Sequence, residues 1–259
     1  MTPRLHLRGP LRPGAGAALE REAAHYLGRV LRLRTGDPVE VFDGEGARHA
    51  AVLESIDARG GLLRIGAALP SGTESPLRIT LAQCISAGEK MDWTIEKAVE
   101  LGVARIVPLQ SARSVVRLDA GRAQRRAEHW QRLVTAACMQ CGRDRLPALD
   151  PVQPLETWLD AQAGDARAAS TLRLILAPGA ADAIGSIDAP ADLAEVLLLV
   201  GPESGFTDAE LARARRAGLL PASLGPRILR TETAGLAALA VLQARFGDLR
   251  NAPRTDAGA

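Results

Sequence analysis

The spacing of apolar and polar residues changes near residue 75 of the chain. Before that point, short apolar segments alternate with turn residues, which predicts a set of strands. These strands are expected at 4–8, 38–42, 47–56 and 62–69. Apolar residues at helical spacing over 20–33 predict one helix among them. The segment 70–76 has a proline at each end and few apolar residues, so it is predicted to link two domains, residues 1–75 and 76–259.

Beyond the linker, predicted strands alternate with predicted helices. The strands are expected at 77–84, 105–109, 172–176, 196–200 and 219–224, and the helices at 92–101, 120–141, 207–217 and 231–246. The runs at 172–176 and 196–200 are apolar at nearly every position, as in a parallel sheet covered on both faces. This part is therefore predicted to be an α/β domain.

Composition argues against membrane, secreted and disulfide-rich classes of protein. The chain has 259 residues, of which 47% are hydrophobic, and no apolar run approaches the roughly 18 residues of a membrane-spanning helix. The first residues lack the apolar stretch of a secretory signal, and three cysteines are too few for a disulfide scaffold. We therefore expect no membrane association and a cytoplasmic location.

Positive charge is concentrated in two stretches. Residues 1–34 hold seven arginines against two glutamates, and residues 105–145 hold nine arginines against three acidic residues. Clustered guanidinium groups attract phosphate backbones, which makes RNA a candidate partner. The alternative is an ordinary solvated surface.

Two glycine-containing segments are the best candidates for a binding site. They are Gly201-Pro202-Glu203-Ser204-Gly205, directly after a predicted strand, and the residues from Leu224 to Thr233, before the last helix. In α/β sheets, ligands bind beyond the carboxyl ends of strands, and glycine lets the backbone approach a ligand closely. The alternative is a pair of tight turns. Neither a dinucleotide-binding G-x-G-x-x-G nor a P-loop pattern is present.

The other candidate motif is the C-x-x-C spacing of Cys138 and Cys141. Because a second ligand pair is missing and the segment is predicted to be helical, packing is favoured over zinc binding or redox chemistry. The four histidines form no recognisable metal or catalytic pattern. No metal is expected.

Five ordered groups of motifs resemble the ribosomal RNA small subunit methyltransferase E family of the SPOUT superfamily. They are the 201–205 segment with Leu224-Gly225-Pro226-Arg227-Ile228-Leu229-Arg230-Thr231-Glu232-Thr233-Ala234 and the tail 242–248; residues 28–32 and 42–44; residues 88–91; residues 96–103; and Cys141-Gly142-Arg143. The resemblance covers nearly the whole chain. Two positions depart from the family pattern, since Ser204 stands where glycine is usual and Met139 where glutamate is usual.

The resemblance implies a fold and an activity. The fold is a SPOUT-type α/β methyltransferase domain with a trefoil knot, preceded by a small PUA-like β-barrel that binds RNA. The activity is S-adenosylmethionine-dependent methylation of N3 of one uridine in 16S ribosomal RNA, within free RNA or the small ribosomal subunit, by a homodimer.

Roles for individual residues follow from this chemistry. Uridine N3 carries a proton, so Glu232 is a candidate base, and Arg227 and Arg230 are candidates to stabilise negative charge on the uracil oxygens. The alternative role for Glu232 is at the start of the last helix. The cofactor is expected at Leu199, Gly201, Pro202, Glu203, Gly205, Leu224, Gly225, Ile228, Leu229, Thr231 and Ala234. RNA is expected at Arg8, Arg29, Arg32, Arg34, Lys90, Arg113 and Arg143.

Two rival functions remain open at this stage. One is a related SPOUT enzyme that methylates a ribose 2′-hydroxyl, and the other is a ribosome-assembly protein that binds RNA without catalysis.

Overall fold

The computed structural model describes residues 2–163 and 170–250, which divide into two compact units. The first unit contains the residues up to Glu74 together with Cys138–Leu146. The second contains Ser75–Ala137 and the described residues from Pro147 onward. The chain therefore passes between the units three times. Sequence patterns indicated the passage near residue 75 but gave no sign of the other two.

The first unit is built on a five-stranded sheet. Its strands are β1 (Arg4–His6), β2 (Gly16–Leu19), β3 (Pro38–Phe42), β4 (Arg48–Ile56) and β5 (Gly61–Ala68), in the order β1-β3-β4-β5-β2. β1 and β3 pair in parallel, and the other pairs are antiparallel. A short helix, α1 (Arg21–His25), continues as a π-helical turn over Tyr26–Val30. The predicted helix at 20–33 is therefore real but ends earlier than its apolar pattern.

The core of the first unit includes side chains from the segment that returns late in the sequence. Leu27, Val41 and Leu53 are fully buried in this core, and Met139 packs against it. The guanidinium of Arg4 donates a 2.7 Å hydrogen bond to the fully buried carboxylate of Asp144. Met139 thus has an apolar packing role at the position where the family usually has glutamate.

The second unit is built on a seven-stranded parallel sheet. Its strands are β6 (Arg78–Cys84), β7 (Arg105–Gln110), β8 (Ala148–Leu149), β9 (Gln153–Pro154), β10 (Thr171–Leu176), β11 (Glu195–Val200) and β12 (Leu220–Ala222). The order is β12-β10-β11-β6-β7-β8, and β9 also pairs with β7. The helices are α2 (Lys90–Glu100), α3 (Ala120–Cys141), α4 (Leu155–Gln162), α5 (Asp208–Arg216) and α6 (Thr231–Phe246), followed by a 3-10 turn over Asp248–Arg250. These elements confirm the predicted α/β class.

Helices cover both faces of this sheet, as the continuous apolar strands predict. Successive residues of a strand point to opposite faces. Ala82 and Cys84 share a core cluster with residues of α4 and α5. On the other face, Gly235 of α6 lies against Leu81 and Gln83 of β6. α6 also packs on α2, and its residues Leu236, Ala238, Leu239 and Leu242 are buried inside the chain.

The helix bounds show which sequence signals are reliable. The bounds of α3 and α6 agree with prediction, and Thr207 and Glu210 form the capping box that begins α5. Four elements were not predicted, namely α4, β2, β8 and β9, because they are short or have few strongly apolar residues.

The predicted packing role is confirmed for Cys138. Its thiol is fully buried, and burial raises the pKa of this thiol to about 12. A thiol held in its protonated form is unsuited to redox exchange.

Candidate functional site

A cavity of about 630 Å³ opens at the carboxyl edge of the parallel sheet. Three loops form its walls, each following one strand: 177–179 after β10, 201–206 after β11 and 223–230 after β12. Lys90, the first residue of α2, completes the lining together with the start of α6. Because neighbouring parallel strands end at the same edge, segments far apart in sequence meet here.

The cavity wall consists mainly of backbone and apolar groups, and it includes positions where glycine is required. A Cβ added at Gly201 would lie 2.9 Å from Cε2 of Phe206, so the ring packs directly on the backbone. Gly205 and Gly225 have φ values of +69° and +86°, which L side chains rarely adopt. These two loops therefore present main-chain atoms to the cavity.

A chain of buried hydrogen bonds holds the start of α6 against the loop after β11. The hydroxyl of Thr231 donates to the carbonyl oxygen of Gly201 at 2.5 Å and accepts from the side-chain amide of Gln83 at 3.0 Å. Gln83 also donates to the carbonyl oxygen of Cys84. Thr231 and Gln83 are both buried, so the relative position of loop and helix is well fixed.

Lys90 lies between two carboxylates at the edge of the cavity. Its ammonium nitrogen is 3.4 Å from Oε1 of Glu203 and 3.8 Å from Oε1 of Glu232. Burial would raise the pKa of Glu203, but hydrogen bonds from the Glu203 and Ala87 backbone and from Lys90 bring it below its usual value. Glu203 is therefore ionised at neutral pH. The second carboxylate oxygen of Glu232 is buried and accepts no hydrogen bond from the described residues.

The loop after β11 is also held from its outer side. The hydroxyl of Ser204 donates a 2.7 Å hydrogen bond to the carbonyl oxygen of Arg113, and the guanidinium of Arg113 donates to the carbonyl oxygen of Phe206 at 3.2 Å. The carboxylate of Glu210 accepts from the backbone N–H of Ala112 at 2.8 Å. Serine in place of the usual glycine thus adds an anchor to the loop.

The structure brings together ten of the eleven residues predicted to bind a cofactor. They line the cavity, whereas Leu199 is fully buried in the core cluster beneath the sheet and does not line it. Leu199 lies inside β11, one residue before the end of the strand, which explains its burial. Of the predicted catalytic residues, Arg227 and Arg230 line the cavity, and Glu232 lies just outside the wall, beside Lys90.

Several lining residues were missed by the sequence analysis. The 177–179 loop, Ser223 and Phe206 all line the cavity. A Pro178-Gly179 turn signal directly after a buried strand was available for the first of these. Lys90 was predicted to contact RNA, but its charge is already matched by two carboxylates.

The remaining arginines predicted to bind RNA have different environments. Arg8, Arg29, Arg32 and Arg34 are exposed on the first unit, and Arg113 is exposed on the second. Arg143 is 6% exposed and forms a 2.7 Å ion pair with Glu74 within the first unit. Burial and pairing argue for a structural role of Arg143 and against an RNA contact.

The described part of the chain contains neither a metal site nor a membrane-spanning helix. Within residues 2–163 and 170–250, no group of three or more histidine, cysteine or acidic side chains is arranged to hold a metal ion. No helix of the described part of the chain has the length and apolarity to span a membrane.

Comparison with known protein families gives matches to both parts of the chain. Residues 73–243 match the RNA methyltransferase domain, and residues 19–66 match the RNA methyltransferase PUA domain. A protein of Buchnera aphidicola subsp. Schizaphis graminum named ribosomal RNA small subunit methyltransferase E is 32% identical over 247 residues, which cover 95% of this chain and 98% of that protein. A protein of Mycobacterium bovis with the same name is 33% identical and covers 90% and 89% of the two chains.

A solved structure shows the same fold. The crystal structure of a ribosomal RNA small subunit methyltransferase E from Neisseria gonorrhoeae bound to S-adenosyl methionine superposes with a TM-score of 0.87. The two sequences are 37% identical, and the superposition covers 96% of this chain and 100% of the other. Similarity at this level extends through both units.

Proposed function

Because this chain belongs to the ribosomal RNA small subunit methyltransferase E family, we propose that it methylates N3 of a uridine in 16S ribosomal RNA with S-adenosylmethionine as the methyl donor. The observation that carries this proposal is the cavity at the carboxyl edge of the parallel sheet. Two of the three loops that form it overlap the segments selected from the sequence, 201–205 and 224–233.

The residues present fit a nucleoside methyl donor. A volume of about 630 Å³ lies within the range of small-molecule sites, and the apolar and main-chain lining suits an adenosine group. Gly201, Gly205 and Gly225 line the cavity, and at Gly205 and Gly225 no atom lies within 4 Å of the position that a Cβ would take. Among the described lining residues Glu203 alone is acidic, and an ionised carboxylate is compatible with a positively charged donor.

When bound, S-adenosylmethionine supplies an electrophilic methyl group. The task of the protein is to bring uracil N3 into line with that group and to remove its proton. Glu232 is the proposed proton acceptor, since one of its carboxylate oxygens is buried and without a hydrogen-bond donor among the described residues. Lys90 positions this carboxylate through the other oxygen.

Arg227 and Arg230 are proposed to stabilise the uracil during proton removal. Both are exposed at the mouth of the cavity and make no ion pair with a described residue. Loss of the N3 proton leaves negative charge on the uracil oxygens, and a nearby guanidinium lowers the free energy of that charge. Because N3 lies on the Watson-Crick edge, the uridine has to be unpaired when it enters the site.

The RNA surface, the quaternary state and the location complete the proposal. The proposed phosphate contacts are Arg8, Arg29, Arg32 and Arg34 on the first unit and Arg113 on the second.

We propose that the protein is a homodimer, with the half-exposed Trp93 on α2 as a candidate contact between the two copies. We also propose a cytoplasmic location, where the ribosomal substrate is found. Analytical ultracentrifugation tests the dimer, and a single species of about 27 kDa would contradict it.

The experiment that tests the function is direct mapping of the methylated atom. The protein, S-adenosylmethionine and unmodified 16S ribosomal RNA are incubated, and the RNA is digested and analysed by mass spectrometry. N3-methyluridine at one site is the expected product. A 2′-O-methylated nucleoside would favour the related SPOUT activity, and absence of both methylation and S-adenosylmethionine binding would favour an assembly protein.

A further inference from the structure

α3 carries basic side chains along one stripe of its surface. The stripe consists of Arg122, Arg125, Arg126, His129 and Arg132, in which each residue has another member three or four positions away. With 3.6 residues per turn, these five positions fall within about 120° of the helix circumference and span about 15 Å along its axis. We call this set the α3 stripe.

The side of α3 that faces the protein is fixed by an aspartate on α2. Asp92 accepts hydrogen bonds of 2.8 Å from the indole of Trp130 and from the imidazole of His129. Trp130 is fully buried, and Val134 and Ala137 are buried on the same side of the helix. The α3 stripe is thereby held in one orientation toward solvent.

The charge of the α3 stripe exceeds what its own protein neutralises. Arg122 pairs with Asp119, and Arg126 lies 3.8 Å from Asp92. Arg125 and Arg132 are exposed, and neither guanidinium forms an ion pair or hydrogen bond with a described residue. Four arginines thus stand against three carboxylates, those of Asp92, Asp119 and the neighbouring Glu128 of α3, and the α3 stripe keeps net positive charge.

The stripe begins near the edge of the sheet where the cavity lies. α3 starts ten residues after β7 ends at Gln110, and the intervening segment contains Arg113 and Arg117, both exposed. Arg113 touches the loop after β11, which lines the cavity. The basic side chains therefore continue from the rim of the cavity to the helix.

We infer that the α3 stripe is a second RNA-binding surface, which holds the phosphate backbone of the substrate beyond the target uridine. This inference rests on the proposed function for the identity of the partner. Arginines spaced over about 15 Å on a fixed helix face match a run of phosphates, whose neutralisation releases counterions.

The experiment compares two double variants of the full-length protein. R125A/R132A removes the two unpaired arginines of the α3 stripe. R215A/R216A removes two exposed arginines from α5, which covers the opposite face of the sheet, and is matched in net charge. The dissociation constant of each protein for unmodified 16S ribosomal RNA, transcribed in vitro, is measured at a series of KCl concentrations.

For R125A/R132A, the slope of log affinity against log salt is expected to decrease in magnitude by about 2, one for each phosphate contact. The KM for RNA is expected to rise, whereas kcat at saturating RNA and the affinity for S-adenosylmethionine stay at parent values. The R125K/R132K variant, which keeps both charges, is expected to retain most of the slope. The control R215A/R216A is expected to behave as the parent.

Two outcomes would overturn the inference: a parental salt slope in R125A/R132A, or an equal loss of slope in both double variants. Failure of the proposed function has a different signature. In that case the parent itself gives no methylated uridine, whereas the binding measurements still test the α3 stripe.

Discussion

The ammonium nitrogen of Lys90 lies 3.8 Å from Oε1 of Glu232 and so connects the first residue of α2 with the first turn of α6. The two residues are more than a hundred positions apart in sequence, and the parallel sheet brings their helices to one edge. Glu203 of the loop after β11 contacts the same ammonium group. A single lysine thus links three segments around the proposed reaction site.

Glu232→Gln is expected to lower kcat by about 10²- to 10⁴-fold, the contribution of a positioned base. The affinity for S-adenosylmethionine, measured by calorimetry, is expected to stay within about twofold of the parent, because Glu232 does not line the cavity. Glu128→Gln, which removes an exposed carboxylate from α3, serves as the control. A kcat within about threefold of the parent would assign Glu232 to the helix start alone, where a carboxylate contributes about 0.3–1 kcal/mol to the free energy of unfolding.

Lys90→Gln is expected to lower kcat by roughly tenfold, about 1.4 kcal/mol of barrier, because Glu203 and Glu232 lose the cation that lies between them. The salt dependence of RNA binding is expected to stay unchanged, since the charge of Lys90 is already matched. Lys90→Arg should recover part of the activity. If the salt slope instead falls by about 1 while kcat is kept, Lys90 contacts a phosphate, as the sequence analysis expected.

Gly201→Ala is expected to weaken S-adenosylmethionine binding. The new Cβ would lie 2.9 Å from the ring of Phe206 and force it to move. Overpacking of this kind costs about 1–3 kcal/mol, or roughly 5- to 150-fold in Kd. Gly185→Ala is the matched control, because an added Cβ there has no atom within 4 Å. Calorimetry on both variants provides the measurement, and equal affinities would show that the packing of Phe206 on Gly201 does not shape the binding site.

The first unit is expected to lose stability as the pH falls below about 6.5. Burial lowers the pKa of His6, so the unfolded chain takes up a proton at a higher pH than the folded chain does. The stabilising contribution of neutral His6 is therefore complete above about pH 6.5 and is lost as the pH falls through the lower folded pKa. Hydrogen exchange of the backbone amides of β3, which pairs with β1, measures this at about pH 8 and pH 5.5.

His6→Gln is expected to remove much of that pH dependence, because glutamine does not titrate. His25→Gln, at an exposed position of α1, provides the comparison and is expected to keep the parental behaviour. An unchanged pH dependence in the His6→Gln protein would assign the effect to another group.

The sequence predicted local structure well and long-range proximity poorly. Helices such as Ala120–Cys141 and Thr231–Phe246 follow from local composition, since the first is rich in arginine and the second in alanine and leucine. The loop residues of the cavity followed from glycines placed after strands, and from the family motifs. By contrast, the pairing of Lys90 with Glu232 and the burial of Arg143 against Glu74 depend on chain folding over long separations. Sequence spacing does not reveal such contacts. Lys90 and Arg143 were therefore predicted to contact RNA.

The return of Cys138–Leu146 to the first unit means that its compact fold is not encoded by one continuous stretch of the chain. A fragment ending at Glu74 would lack the Asp144 carboxylate that Arg4 contacts and the Met139 side chain that packs on the core. The buried guanidinium of Arg4 would then lose its 2.7 Å partner and keep only the carboxylate of Glu40, at 4.0 Å. Fusion proteins and domain exchanges that contain residues 1–74 alone would lack these contacts. We therefore expect the two units to be retained together in one polypeptide.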